Sequence, residues 1–242
     1  MLSNNLNILY EDSDIIVIVK PAGIATQSKK VGSPDLVNLI KRYLYIKNPR
    51  GGEPYLAVIH RLDQPVKGIL VFAKNKKAAT LLNKQLNHGH NEYGFNKFYL
   101  ATVHGRPEKE SGDLVDYIIS DSRTNTSRIC KKGTPMSKEA RLHYELLSTI
   151  DTEDGMISEL EIHLDTGRRH QIRVQLANMG CPIVGDTKYN PLEQTQPVEK
   201  KRFARSGEKN GTKTYKELKL CAFHLQFNHP STGRFMDFEI AA

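Results

Sequence analysis

The sequence predicts an α+β or mixed α/β domain, and three observations carry that expectation. Short β-branched runs alternate along the chain with segments whose apolar residues recur at helical spacing. Other segments alternate apolar and polar residues with a period of two. No period of about 20–50 residues repeats, which excludes a solenoid or a propeller.

The elements follow in order. Ile15-Ile16-Val17-Ile18-Val19 stops at Lys20-Pro21-Ala22-Gly23, a turn signal, and reads as a buried strand. Ser33-Pro34 predicts a helix start, with Ser33 as N-cap and Pro34 at the first helical position. Leu36, Leu39, Ile40, Tyr43 and Leu44 then recur on one helical face. Ile69 to Ala73 is a second strand. The helix after it carries Ala78, Leu81, Leu82, Gln85 and Leu86 on one face and ends near Gly89. Lys97 to Val103 is a strand before the turn at Gly105. Leu142, Tyr144 and Leu146 alternate, as do Leu160, Ile162 and Leu164. Thr166 is then expected to cap an amphipathic helix running to Gly180, and His229 to Gly233 reads as a hairpin turn. Residues 121–138 and 190–216 read as irregular. The second stretch carries Lys200, Lys201, Arg202, Arg205, Lys209, Lys213 and Lys216. Such a loop is either a solvated insertion or an electrostatic arm for RNA.

Charge and composition narrow the function. Lys and Arg number 35 against 27 Asp and Glu, a net charge of +8. That balance favours an anionic partner and says nothing about fold. The run Ile15 to Val19 is far too short to span a membrane. Glu11, Asp12 and Asp14 precede it in place of a basic region, so a secretory signal is not expected. Cys130, Cys181 and Cys221 are odd in number and widely spaced, giving neither a disulfide framework nor a C-x-x-C zinc spacing. They read as thiols of a reducing, cytoplasmic compartment. His88 and His90 straddle Gly89 with no adjacent ligand set and read as a helix end, so no metal site is expected. The nucleotide-triphosphate, dinucleotide, α/β-hydrolase and zinc-protease motifs are absent.

Two constellations carry chemistry. Arg168, Arg169 and Arg173 fall in the first two turns of the helix expected after Thr166, with Arg169 and Arg173 four apart on one face. Cations are disfavoured there by a few tenths to about 1 kcal/mol each. An anion gripped by the arginines and the helix N–H groups would offset this. The alternative is that the arginines are solvated or pair with acids at the core edge. His60-Arg61-Leu62-Asp63-Gln64-Pro65 joins an apolar pair to a polar turn. Asp63 reads either as a cap of the Gln64-Pro65 turn or as a nucleophile or base. Tyr99, midway along its strand, reads first as a core tyrosine.

Taken together, these pieces resemble the RluA-type pseudouridine synthases. They run in the family's order: Glu11-Asp12 with Lys20-Pro21-Ala22-Gly23, then His60-Arg61-Leu62-Asp63 with Gly68, then Lys97-Phe98-Tyr99-Leu100-Ala101 with Gly105. Thr166-Gly167-Arg168 and His170-Gln171-Ile172-Arg173 follow, then Gly185-Asp186 with Tyr189, and finally Leu220, Ala222, Leu225, Phe227, His229 and Pro230. The resemblance spans about residues 8 to 240. It implies isomerisation of a uridine within RNA, breaking the nitrogen–carbon glycosidic bond and rejoining the sugar to carbon 5, with no cofactor and no metal. It implies that Asp63 is the essential aspartate, Tyr99 the aromatic under the uracil, and Arg173 the basic partner of the aspartate. It further implies that Leu220 is the apolar wall of the site and that Arg61 fills the gap left by the extruded nucleotide. His60, Arg168, Arg169, His170 and Gln171 are expected to bind substrate.

The implied fold is a mixed, mainly antiparallel central sheet flanked by helices, with a cleft that holds the aspartate. A single catalytic domain over 1–242 is expected, a monomer whose partner is tRNA or large-subunit rRNA. The helical RNA-binding module that many relatives carry ahead of this domain is expected to be absent. The physics agrees: flipping a base out costs a few kcal/mol, and stacking on an aromatic returns about 1–3.

Departures from the family pattern are Val66-Lys67 for Thr-Ser, Arg169 for Thr, Gln175 for His and Cys221 for His. The rival readings are a non-catalytic RNA-binding or chaperone protein on the same fold, and a small-molecule nucleosidase. The second requires a partner carboxylate that does not stand out in the sequence.

Overall fold

The computed structural model describes residues 6–28, 33–87, 94–153, 155–194 and 217–242. The strands are β1 (Asn7–Glu11), β2 (Ile15–Lys20), β3 (Ala57–Val58), β4 (Lys67–Ala73), β5 (Asn96–His104), β6 (Ser111–Asp121), β7 (Thr126–Cys130), β8 (Lys138–Thr152), β9 (Gly155–Leu164), β10 (Leu220–Asn228) and β11 (Phe235–Glu239). The helices are α1 (Leu36–Lys47), α2 (Lys76–Asn87), α3 (Gln171–Asn178) and the short α4 (Pro191–Gln194). The strands form one sheet in the order β1-β2-β4-β10-β5-β9-β8-β6-β7, with β3 on β4 and β11 on β10. Among the described pairings only β4 with β10 is parallel. The fold is therefore α+β with a mainly antiparallel sheet.

Burial explains the two kinds of strand pattern. Ile16, Ile18, Leu70 and Phe72 cluster with Leu36, Ile40 and Leu44 of α1. Ile15, Val17, Ile69 and Val71 cluster with Ala78 and Leu82 of α2. Strands β2 and β4 are thus covered on both faces, so their sequences read as unbroken apolar runs. Each such side chain contributes about 1.5–3 kcal/mol on burial. Strand β5 is buried only at alternate residues, and Lys97, Tyr99, Ala101 and Val103 form its inner row. Gly68 (φ 145°) lets β4 approach β10, because a Cβ there would collide with Ala222.

Several local expectations change. The α1 N-cap is Asp35, whose Oδ1 accepts from the Asn38 N–H at 2.8 Å and whose Oδ2 accepts from the Ser28 N–H at 2.7 Å. One carboxylate thus caps the helix and ties down the preceding loop, which a Ser33 hydroxyl could not do. Residues 121–138 are irregular only in part: 122–125 and 131–137 are turns and connecting coil, but Thr126–Cys130 is β7, paired with β6 in a hairpin and hidden in sequence because its buried residue is Ser127. Helix α3 begins at Gln171, five residues after Thr166, so Arg168 and Arg169 precede it and Arg169 does not share a helical face with Arg173. Gln171 Oε1 accepts from the Thr166 hydroxyl at 2.8 Å and from the Arg168 N–H at 2.9 Å, which fixes a turn there instead. Nor is α3 amphipathic, since Gln171 through Leu176 are all buried.

The His229–Gly233 turn does close the β10–β11 hairpin. Asn190 is fully buried and donates to the Ile183 carbonyl at 3.1 Å, so the loop does not begin there. The rest of the basic stretch from 195 to 216, and His88, Gly89 and His90, lie outside the described residues. Among the described residues no helix is long and apolar enough to cross a membrane.

Candidate active site

Asp63 sits on a loop that the Lys20-Pro21-Ala22-Gly23 segment cradles. Lys20 is fully buried, and its Nζ donates to the carbonyls of Pro21 (2.9 Å), Ile24 (2.8 Å) and Gln64 (3.1 Å). Burial lowers its pKa to about 8, while the nearby Asp63 charge pulls the other way. The Gly23 N–H donates to the Gln64 carbonyl at 2.9 Å. The Thr26 hydroxyl donates to the Leu62 carbonyl at 3.0 Å and accepts from the Leu62 N–H at 3.2 Å. The turn itself is closed by backbone, Val66 N–H to Asp63 carbonyl at 3.1 Å. The Asp63 carboxylate is therefore not used as a turn cap.

That carboxylate meets the end of α3. Arg173 Nη1 lies 3.1 Å from Asp63 Oδ2, and the Asp63 side chain is 26% exposed. Arg173 is buried, and a second carboxylate holds it. Its Nε and Nη2 donate to Asp186 Oδ2 and Oδ1 at 2.8 and 2.7 Å. Asp186 also accepts from the N–H groups of Lys188 (2.9 Å) and Tyr189 (3.2 Å). Burial alone would raise the Asp186 pKa, but the hydrogen bonds and charge of Arg173 hold it below the usual carboxylate range. Burial likewise works against the charge on Arg173, and Asp186 followed by Asp63 raises its pKa overall. The anions offsetting an arginine near the helix start are thus the protein's own carboxylates.

Tyr99 lies on the inner face of β5 in the same apolar cluster as Leu62, Val66, Ile162 and Leu220. Burial, and then the Asp63 charge, push its hydroxyl well above its ordinary pKa, so it stays protonated. Leu220 starts β10 opposite Ala101 and is 5% exposed. A part-exposed carboxylate, a buried arginine on one side of it and a tyrosine-lined apolar wall thus converge.

A family model described as RNA pseudouridylate synthase matches residues 14–178. The chain belongs to the RNA pseudouridylate synthase family. It is 34% identical over 238 residues to an uncharacterized RNA pseudouridine synthase of Aquifex aeolicus, covering 97% of this chain and 69% of the relative. It is 31% identical over 236 residues to ribosomal large subunit pseudouridine synthase D of Vibrio cholerae, covering 96% of this chain and 66% of the relative. It is 35% identical over 196 residues to ribosomal large subunit pseudouridine synthase C of Rickettsia felis, covering 81% and 59%. The chain thus spans between 59 and 69% of the length of these curated relatives. The fold is shared with human RNA pseudouridylate synthase domain containing 1, at a TM-score of 0.68 and 22% identity over 98% of this chain and 84% of that one.

In this chain the sequence-predicted residues take different stations. Asp63, Arg173 and His170 meet: the His170 Nε2 is 3.7 Å from Asp63 Oδ2. Arg61 is exposed, and no ion pair ties it to a described residue. Arg168 Nε donates to the Glu139 carbonyl at 2.8 Å, and Arg169 bonds the Asn125 side chain. Gln171 is 2% exposed, bonded to Thr166, Arg168 and Arg141, and holds the turn before α3. His60 lies edge-on to Phe95 at 5.1 Å and accepts from the Val71 N–H at 3.4 Å, away from the Asp63 group. Burial takes its pKa down to about 3.

Sequence reasoning left Asp186, Lys20 and Lys97 without a role. The motif pieces around all three were visible, but nothing in them says which side chains are buried charges. Lys97 is 6% exposed on the inner row of β5, two residues before Tyr99. Burial lowers its pKa to about 8, against the attraction of Asp165.

Proposed function

We propose that this chain isomerises uridine within RNA to pseudouridine, with Asp63 as the group that starts glycosidic cleavage. The observation that carries the reading is Asp63 itself: a part-exposed carboxylate with one oxygen held by a buried arginine, beside a protonated tyrosine. Arg173 is buried and bonded twice by Asp186 as well as once by Asp63, and the Asp63 side chain keeps 26% of its surface exposed.

The chemistry follows from the geometry. A target uridine swings out of its helix and lays its uracil against Tyr99 and Leu220, and stacking offsets part of the unpairing cost. Arg173 keeps the Asp63 carboxylate oriented while Oδ1 attacks the nucleoside or takes a proton from the sugar. The uracil turns within the apolar wall and rejoins through carbon 5, and the carbon-5 proton is released. Arg61, exposed at the mouth, occupies the space the nucleotide vacates, and Arg168 and Arg169 meet the phosphates alongside it. The substrate is a structured RNA, tRNA or large-subunit rRNA, and the names of the C- and D-type relatives favour the latter. The whole domain from 1 to 242 acts as one catalytic unit.

Incubating unmodified tRNA and large-subunit rRNA transcripts with the protein, digesting to nucleosides and separating them by chromatography tests the reading. A pseudouridine peak from wild type, absent with Asp63→Ala, supports it. RNA binding without any such peak from either transcript favours the non-catalytic RNA-binding reading.

A further inference from the structure

The two oxygens of the Asp63 carboxylate are not equivalent. Oδ2 accepts a hydrogen bond from Arg173 Nη1 at 3.1 Å, and His170 Nε2 faces the same oxygen from 3.7 Å, beyond hydrogen-bond length. Among the described residues nothing donates to Oδ1. His170 is itself fixed from behind. Its Nδ1 lies 2.7 Å from the Tyr189 hydroxyl, and that hydroxyl accepts the Ser127 N–H at 2.7 Å. Ser127 in turn donates its own hydroxyl to the Arg169 carbonyl at 2.7 Å, locking β7 to the residue before His170.

The chain of donors sets the imidazole tautomer. The Tyr189 oxygen already receives one N–H, so its own hydrogen points to its other near neighbour, His170 Nδ1. The imidazole proton then sits on Nε2 and faces the Asp63 carboxylate. The other tautomer would aim the Nε2 lone pair at a negative oxygen. His170 adopts a left-handed backbone (φ 52°), a conformation a non-glycine side chain occupies at a cost. Burial holds the ring neutral, with a pKa of about 4, despite the Asp63 charge, and Arg173, Arg169 and Lys188 add to that lowering.

We propose that Ser127, Tyr189 and His170 form a positioning relay that turns the His170 Nε2–H towards Asp63 Oδ2, so that Oδ2 stays beside Arg173 and Oδ1 is presented as the reacting oxygen. A neutral donor suits this task. Asp63 loses its charge once Oδ1 bonds carbon or takes a proton, and an uncharged N–H loses less attraction on that change than a cation would. A second cation beside Arg173 would instead favour the resting carboxylate and slow its reaction. The kinetic part of this inference rests on the isomerase reading, whereas the tautomer does not.

Nitrogen-15 NMR of histidine-labelled protein reads the tautomer directly, with His170→Asn identifying the His170 signals among the nine histidines. Between pH 6 and 8 the wild type is expected to carry its proton on Nε2, with Nδ1 bare. Tyr189→Phe keeps the ring that Arg173 packs over at 5.2 Å and removes only the hydroxyl. It is expected to mix the two tautomers and to lower kcat on RNA by about 10- to 100-fold with KM little changed, the range seen when an orienting partner is removed. An Nδ1-protonated wild type would overturn the relay, and so would a Tyr189→Phe enzyme with mixed tautomers and unchanged kcat. A wild type that isomerises no RNA would defeat the functional reading alone, and the tautomer would still decide the relay.

Discussion

Replacing Asp186 by Asn separates what holds the site together from what reacts in it. Asp186 is 1% exposed and makes two hydrogen bonds, of 2.7 and 2.8 Å, to an arginine that is itself 4% exposed. Removing one partner of a buried ion pair costs about 3–5 kcal/mol, because a charge is left buried without its counter-charge. Asn keeps an oxygen for one guanidinium nitrogen, and Asp63 still offers part of a counter-charge, so we expect about 3 kcal/mol. Asp63→Asn is the contrasting variant. Asp63 is 26% exposed, and Arg173 would keep both bonds to Asp186, so the loss is expected to stay below about 1 kcal/mol. Urea unfolding measures both. With a slope of about 2–3 kcal/mol per molar, Asp186→Asn should lower the midpoint by about 1 M or more, and Asp63→Asn by under about 0.5 M. Asp63→Asn should nevertheless abolish isomerisation. Equal destabilisation by the two variants would refute the assignment of Asp186 as the anchor of Arg173.

Further outcomes follow from the same geometry. Stability should fall as pH drops from 6.5 towards 4. His60 and His170 are held at about 3 and about 4, so in that window the unfolded chain binds protons the folded one does not. Each buried imidazole then contributes a loss of about 1.4 kcal/mol per pH unit, and a flat unfolding midpoint between pH 6.5 and 4.5 would contradict this. Arg61→Ala should leave the unfolding free energy within about 0.5 kcal/mol of wild type while lowering kcat/KM on RNA by about tenfold or more, since the side chain is exposed and unpaired among the described residues. Lys97→Met should be at least as stable as wild type, because a buried ammonium without a hydrogen bond among the described residues is exchanged for an apolar side chain of similar length, and a loss above about 1 kcal/mol would contradict its placement.

Much of the molecule was legible in the sequence, for identifiable reasons. Strands β2 and β4 were readable because burial on both faces leaves unbroken apolar runs, and β5, β8 and β9 because burial on one face leaves alternation. Asp63 with Arg173 was readable through motif order, and the structure places them 3.1 Å apart. What escaped was polar burial. Helix α3 hides Gln171, Arg173 and Gln175, so hydropathy misplaces its start and gives it a false solvent face. Strand β7 buries Ser127, and a serine carries no strand signal. Asp186 and Tyr189 were visible as motif letters, but their work depends on contacts across 13, 19 and 62 residues, reaching Arg173, His170 and Ser127. His60 shows the converse: it stands in the same motif as Asp63 and packs against Phe95 instead.

The central claim is that Asp63 starts an isomerisation in which uridine gives up its carbon-5 proton. Tritium release from RNA labelled at uridine carbon 5 tests it most directly, with wild type and Asp63→Ala compared on separate tRNA and large-subunit rRNA pools. Release by wild type from one pool, and none by Asp63→Ala, is the predicted result, and the active pool identifies the RNA class. Release at wild-type rate by Asp63→Ala would contradict the account.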